Sequence, residues 1–185
     1  MIVFRHADPR FPFLWESADQ PLARWHESGE GPVHYFADTP DGAWAEFLRH
    51  EEIRERGDLA GIRRALWAIE IPDPGEARPD LPESTLLGGR ESYPECRAEA
   101  ARIRSRGLKG FRAVSAALLP NGARGSIVDG GLNPGPDRNG EVYVLFGRRP
   151  DLVGWKVVDD GQPPEDLLPR VRHFEPVLPN RAASI

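Results

Sequence analysis

Short apolar runs broken by turn residues are the feature of this sequence that most constrains its fold. Nineteen prolines and nineteen glycines are spread over the 185 residues, so few long helices are expected. The apolar runs between them have the length and the β-branched or aromatic content that are typical of strands. They predict strands at residues 2–5, 33–37, 65–71, 110–118, 126–128, 141–146 and 153–158, with a further candidate at 171–174.

Two segments carry the signals of a helix. One begins at the sequence DTPDG, in which Asp38 or Thr39 can cap the helix and the proline suits its first turn. Apolar side chains then recur at helical spacing, and Glu46 falls at the edge of that apolar face. This position predicts a half-buried carboxylate. A second helix is expected from about residue 92 to Gly107.

The order of these elements predicts a single α+β domain with a mixed, mostly antiparallel sheet and a few helices. The strands do not alternate with helices, which excludes a regular parallel βαβ array. We expect the domain to cover residues 1–175 and a C-terminal tail to follow at 176–185. The turn-rich sequence NPGPDRNG predicts a hairpin with a long loop between the strands at 126–128 and 141–146.

Composition argues against several classes of function. The net charge of −5 disfavours a nucleic-acid-binding protein, which needs excess cations to neutralise phosphates. The single cysteine, Cys96, excludes an internal disulfide and a multi-cysteine zinc site, and five histidines without HxxxH or HxH spacing predict no metal site. No run approaches the roughly 20 apolar residues of a membrane span, and the first residues lack the apolar run of a signal peptide. We therefore expect a cytoplasmic protein that binds neither nucleic acid nor membrane.

An arginine, a tyrosine and a glutamate recur at intervals of eleven residues, as Arg24, Tyr35 and Glu46. Arginine offers a fork of donors for phosphate, tyrosine offers a flat face, and a half-buried glutamate can stabilise a cation-like transition state in glycosidic chemistry. The three together suit a ligand with phosphates, a planar base and a breakable glycosidic bond. Such spacing is common, and a surface arginine, a packed tyrosine and a solvated glutamate would explain it equally well.

Further motifs make the sequence similar to a known family. They are FR at residues 4–5, ARW at 23–25, GPVHYFADTPDGAWAE at 31–46, and EAARIRSRGLKGF followed by AVSAAL around Ser115. In this order, and over residues 2–130, they resemble the RES domain family, which is known chiefly from bacterial toxin–antitoxin pairs.

The resemblance implies a fold related to that of ADP-ribosyltransferases and an enzyme that consumes NAD. Such an enzyme cleaves the bond between nicotinamide and ribose, with phosphate or water as the acceptor. NAD is then a substrate, and no cofactor is expected. Two alternatives stay open: an ADP-ribosyltransferase that modifies a protein, and a degenerate RES domain that binds a nucleotide or a partner without catalysis. The resemblance also implies an antitoxin protein as a partner that covers the site.

The resemblance also assigns roles to five residues. Arg5 and Arg24 would hold the pyrophosphate or the acceptor phosphate, and Tyr35 would pack on the nicotinamide or the ribose. Glu46 would stabilise the oxocarbenium-like centre. Ser115 would donate or accept a hydrogen bond near the nicotinamide.

Two histidines depart from the family pattern. His6 follows the first arginine, where the family often has a tyrosine, and His26 in LARWHESGEG stands in place of an asparagine. Both are expected in the substrate-binding part of the site. There they would affect which acceptor the enzyme uses and how fast it turns over, more than the NAD pocket itself. The predicted site therefore comprises catalytic Arg24, Glu46 and Ser115, substrate-binding Arg5, His6, Tyr35 and His26, and no metal ligand.

Overall fold

A six-stranded antiparallel sheet forms the centre of the molecule. The computed structural model describes residues 1–17 and 19–175. Its strands are β1 (Ile2–Ala7), β2 (Val33–Ala37), β3 (Arg64–Glu70), β4 (Gly110–Val114), β5 (Ser126–Val128), β6 (Leu132–Pro134), β7 (Glu141–Phe146) and β8 (Val153–Gly161). The main sheet has the order β4-β7-β2-β1-β3-β8, with each neighbouring pair antiparallel, and β5 and β6 form a separate pair.

These strands and helices confirm the predicted single α+β domain with a mostly antiparallel sheet. The likeness to ADP-ribosyltransferases stays a prediction. The predicted tail at 176–185 lies outside the described residues.

The two predicted main helices are present. They are α1 (Pro40–His50) and α4 (Tyr93–Ser105); the shorter α2 (Arg56–Leu59) and α3 (Glu83–Leu87) lie between them, and 3₁₀ turns occur at Arg90–Ser92 and Glu165–Arg170. Thr39 caps α1, since its hydroxyl accepts a hydrogen bond from the Gly42 N–H at 3.0 Å. Within residues 1–17 and 19–175 no helix has the length and apolar character needed to cross a membrane.

Both faces of the main sheet are covered. One face packs against α1 through Phe4 and against α4 through the fully buried Phe111. The opposite face includes Val3 and Ile69, and Phe13 from the irregular segment after β1 packs against it. Phe13 is half-buried there, whereas Phe11 in the same segment is 62% exposed. The segment after β1 is therefore an irregular layer that packs over the sheet.

The main sheet is nearly divided between β1 and β2. Only one residue pair, Phe4 and Ala37, is in register between these two strands. By contrast, β1 and β3 share six such pairs, and β2 and β7 share five. Because α1 begins three residues after β2 ends, its first turns lie beside this division.

The predicted hairpin between residues 126–128 and 141–146 is wrong. β5 pairs with β6 across a turn at residues 129–131, whereas β7 pairs with β2 and β4 in the main sheet. Gly130 has a φ of 64°, a conformation that suits a tight turn and that glycine adopts without steric cost. The hairpin therefore forms across the nearer turn, and NPGPDRNG lies partly within β6. The candidate strand at 171–174 contributes only a bridge between Val171 and Leu118.

The end of α4 depends on a glycine, which gives a stability prediction. Gly107 has a φ of 79°, whereas Gly57 in α2 has an ordinary helical backbone. We expect Gly107→Ala to lower the free energy of unfolding by about 1 kcal/mol, because alanine is strained at positive φ. Gly57→Ala should leave it unchanged or raise it slightly. Urea unfolding of both variants measures the difference, and equal stabilities would contradict the assignment.

Candidate active site

A cavity of about 1010 Å³ opens where β1 and β2 part. The residues beyond the Phe4–Ala37 pair line it from both strands, and α1 and the segment after β1 provide further walls. The lining residues that carry polar side chains include Arg5, His6, Arg24, Tyr35, Glu46, His50 and Arg64. The division of the sheet is therefore what creates the site.

Glu46 lies on the wall that α1 provides. Its side chain is 27% exposed, as its place at the edge of the apolar face predicts. One carboxylate oxygen, Oε1, accepts a hydrogen bond from the Ser115 hydroxyl at 3.1 Å, and Oε2 lies 3.8 Å from Nε2 of His50. The carboxylate is thus held on one side and open to the cavity on the other.

Ser115 follows β4 directly and is 2% exposed. Its main-chain N–H donates to the Gly140 carbonyl at 2.8 Å, and its hydroxyl oxygen accepts from the Ala117 N–H at 3.2 Å. These bonds fix the hydroxyl so that its proton reaches Glu46. Ser115 does not line the cavity, and its hydrogen bond to Glu46 connects it to the cavity wall.

Arg5 on β1 is a buried cation that is not fully hydrogen-bonded. In the described part of the chain its Nη1 atom is buried without a hydrogen-bond partner. Burial lowers the pKa of the Arg5 guanidinium to about 10, and the nearby Tyr35 opposes that shift. At neutral pH the group therefore stays protonated and carries a full charge beside the cavity.

His6 and Arg64 form a pair across β1 and β3. Nη2 of Arg64 lies 3.2 Å from Nδ1 of His6. Burial lowers the pKa of His6 to about 3, and the positive charges of Arg64 and Arg5 contribute to the shift. The His6 ring also packs edge-on against Phe47 of α1, with centroids 5.0 Å apart. His6 is therefore a neutral imidazole in a positively charged corner of the cavity.

Tyr35 and His26 share one hydrogen bond. The Tyr35 hydroxyl lies 2.9 Å from Nδ1 of His26 and accepts the main-chain N–H of Trp25 at 3.2 Å. Burial raises the pKa of Tyr35 far above its usual range and lowers that of His26. Tyr35 lines the cavity, whereas His26 is 3% exposed and lies behind it. His26 therefore reaches the cavity only through Tyr35.

Arg24 lines the cavity but directs its donors into the protein. Nη1 donates to the Leu86 carbonyl at 3.0 Å and Nη2 to the Gly88 carbonyl at 2.6 Å. Its guanidinium carbon also lies 4.7 Å from the centre of the Tyr93 ring. Arg24 thus anchors the connection between α3 and α4 against the cavity wall.

The low pKa of His6 gives a prediction for stability against pH. An unfolded histidine has a pKa of about 6.5, so the unfolded chain takes up a proton below that pH while the folded chain does not until about pH 3. The stabilisation from neutral His6 is therefore complete above pH 6.5 and is lost as the pH falls. Between pH 7.5 and 5.5 we expect His6→Gln to lose about 1.4 kcal/mol less stability than the parent chain in urea unfolding. An identical pH dependence in the two chains would contradict the assignment.

The structure brings five of the seven predicted residues into one cavity. Arg5, His6, Arg24, Tyr35 and Glu46 line it, and Ser115 and His26 each lie one hydrogen bond behind. Sequence reasoning missed Arg64. A lone arginine at the start of a strand carries no signal of its own, and only the pairing of β3 with β1 reveals its place. In the described ranges no group of three or more His, Cys, Asp or Glu side chains could hold a metal ion.

Comparison with known proteins agrees with the motifs. A search of the curated proteins found no match. The family model for the RES domain matches residues 3–167, which covers most of the chain and every residue of the predicted site. The chain therefore belongs to the RES domain family.

Proposed function

We propose that this protein is an enzyme that consumes NAD by cleaving the bond between nicotinamide and ribose, with phosphate or water as the acceptor. Membership of the RES domain family is consistent with an enzyme that acts on NAD. The observation that carries the proposal is the Glu46 carboxylate, held by Ser115 at 3.1 Å on the wall of a large cavity that Arg5 and Arg64 also line.

The geometry of Glu46 suits cleavage of a glycosidic bond. The bond between nicotinamide and ribose breaks through a transition state with positive charge on the ribose. A carboxylate fixed in advance stabilises that charge without having to reorient, and such stabilisation is usually the largest single contribution to catalysis. The hydrogen bond from Ser115 restrains Glu46, and its second oxygen remains available to the ribose.

The other walls of the cavity suit the remaining parts of NAD. The volume of about 1010 Å³ is at the upper end of ligand pockets and accommodates a dinucleotide. The buried guanidinium of Arg5 supplies charge for the phosphates. The ring of Tyr35 offers a flat surface for nicotinamide, with a hydroxyl already engaged by His26.

The reaction needs no further reagent. The electrons of the broken bond pass to the pyridinium ring, so nicotinamide leaves as a neutral molecule. The ribosyl cation then accepts an oxygen from phosphate or from water. With phosphate the product is a phosphorylated ADP-ribose, and with water it is ADP-ribose and a proton.

Incubation of the purified protein with NAD, with and without phosphate, tests this function. We expect chromatography to detect nicotinamide together with ADP-ribose or, when phosphate is the acceptor, its phosphorylated form. A discrete labelled protein band after incubation with labelled NAD and a lysate would instead identify a protein acceptor. NAD that stays intact after prolonged incubation with folded protein would refute the proposal.

A further inference from the structure

Arg64 occupies a position in the cavity that neither the sequence motifs nor the family assignment singles out. It begins β3, next to β1, and its guanidinium stacks over the Phe47 ring at 5.2 Å. Its Nη2 atom donates to His6, and its Nε atom is buried without a partner. Unlike Arg24, it makes no hydrogen bond to a main-chain carbonyl in the described part of the chain.

Arg5 and Arg64 lack a direct carboxylate partner in the described residues. Among residues 1–17 and 19–175, neither guanidinium forms an ion pair with a carboxylate. Asp8 also lines the cavity, and Arg10 binds both of its oxygens at 2.9 and 3.0 Å. The hydrogen bonds from Arg10 lower the pKa of the Asp8 carboxyl, and the more distant charge of Arg64 adds to that shift. Two unpaired cations at the wall of one cavity are costly to a folded protein unless an anion joins them.

His6 contributes a donor to the same corner. Arg64 can only donate, so Nδ1 of His6 is the acceptor in their hydrogen bond. In the neutral ring the proton is then on Nε2, and that N–H is a donor. The charges of Arg64 and Arg5 both act on His6, which places the three side chains in one region of the cavity. Two guanidinium groups and an imidazole N–H together match the several acceptor oxygens of a phosphoryl group.

We infer that Arg5, His6 and Arg64 form a subsite for a phosphoryl dianion, with Arg64 rather than Arg24 as the second cation. The chemistry that the subsite recognises is common to inorganic phosphate and to the diphosphate of a nucleotide. The inference rests on the proposed function only for the source of that group, and its binding step is independent of turnover.

Titration with inorganic phosphate at low salt, followed by calorimetry, tests the subsite. Arg64→Gln removes the charge but keeps a donor for His6, and we expect its dissociation constant for phosphate to rise by about tenfold or more. The matched control is Arg63→Gln, because Arg63 is exposed and does not line the cavity. Its guanidinium bonds the nearby carbonyls of Ala60 and Ile62 and lies 3.8 Å from Asp160. This variant should bind phosphate as the parent chain does. Equal affinities for phosphate in Arg64→Gln and the parent chain would overturn the inference.

A second variant, Arg64→Lys, keeps the test decisive if Arg64→Gln does not fold. Arg64→Lys keeps the charge and loses the planar fork, so it should bind phosphate with an affinity between those of the parent chain and Arg64→Gln. Melting temperatures measured without phosphate show whether each variant is folded. If Arg64→Gln unfolds, an unchanged affinity in Arg64→Lys at both low and high salt overturns the inference.

Competition between ADP and phosphate identifies the source of the group. ADP that displaces phosphate, and that loses affinity in Arg64→Gln, assigns the subsite to the nucleotide diphosphate. Simultaneous binding of both assigns it to free phosphate. Failure of the proposed function is distinguishable, because phosphate would then bind in an Arg64-dependent manner while NAD stayed intact.

Discussion

Replacement of Glu46 by glutamine is expected to slow NAD cleavage by about 100- to 1,000-fold. Glutamine has nearly the same size and its carbonyl oxygen can still accept the Ser115 hydrogen bond, so the wall of the cavity should keep its shape. The negative charge that stabilises the ribosyl cation is lost, and removal of a single preorganised electrostatic group costs a factor of this size. The rate of nicotinamide release at saturating NAD measures the effect.

Glu51→Gln is the matched control for this substitution. Glu51 is an exposed residue at the C-terminal cap of α1, only five positions further along the chain. Its replacement makes the same change of charge outside the cavity and should leave the rate unchanged. If both variants retain the parent rate, Glu46 has no catalytic role.

The second large effect is expected on stability, from Arg49→Met. Arg49 is 2% exposed, and its guanidinium donates to the carbonyls of Ala116 and Arg172 at 2.6 Å each and of Gly88 at 2.7 Å. The ring of Phe174 lies 4.4 Å from the guanidinium carbon. Methionine fills much of the volume but leaves the carbonyls of Ala116 and Arg172 without their donor, whereas the Gly88 carbonyl keeps its hydrogen bond from Arg24. We expect the free energy of unfolding to fall by about 3–5 kcal/mol in urea unfolding.

Arg56→Met separates this effect from a general loss of arginine. The Arg56 side chain is 76% exposed and reaches Glu165 only at 3.6 Å. An exposed pair of this kind contributes at most about 1 kcal/mol, so the control should unfold close to the parent midpoint. A loss in Arg49→Met no larger than that of the control would show that the carbonyls of Ala116 and Arg172 find other donors.

The parts of this molecule that the sequence predicts are those that local chemistry decides. The start of α1, with Asp38 or Thr39 as its cap, and the half-buried position of Glu46 both follow from the helical pattern around them, and the structure identifies Thr39 as the cap. The actual hairpin was missed because two turn signals compete over residues 129–140, and the choice between them depends on where β7 pairs in the sheet.

The surroundings of the arginines could not be predicted in the same way. Arg24 binds carbonyls 62 and 64 residues away, and Arg49 reaches across 39, 67 and 123 residues. Arg64 meets His6 only because β3 lies beside β1. Contacts at such separations depend on the assembled sheet. The sequence indicates which residue types are available and leaves open which of them face a ligand.

The single residue pair between β1 and β2 has a mechanical consequence. Strands β4, β7 and β2 form one well-bonded half of the sheet and β1, β3 and β8 form the other, and the main-chain link between the halves is confined to Phe4 and Ala37. The boundary between β1 and β2, which we call the seam, has the fewest residue pairs in register of any boundary in the sheet. The two halves should therefore separate there before the strands within either half come apart. A ligand seated in the seam touches both halves at once. Such a ligand would hold the two halves together, and part of its binding free energy would stabilise the whole sheet against their separation.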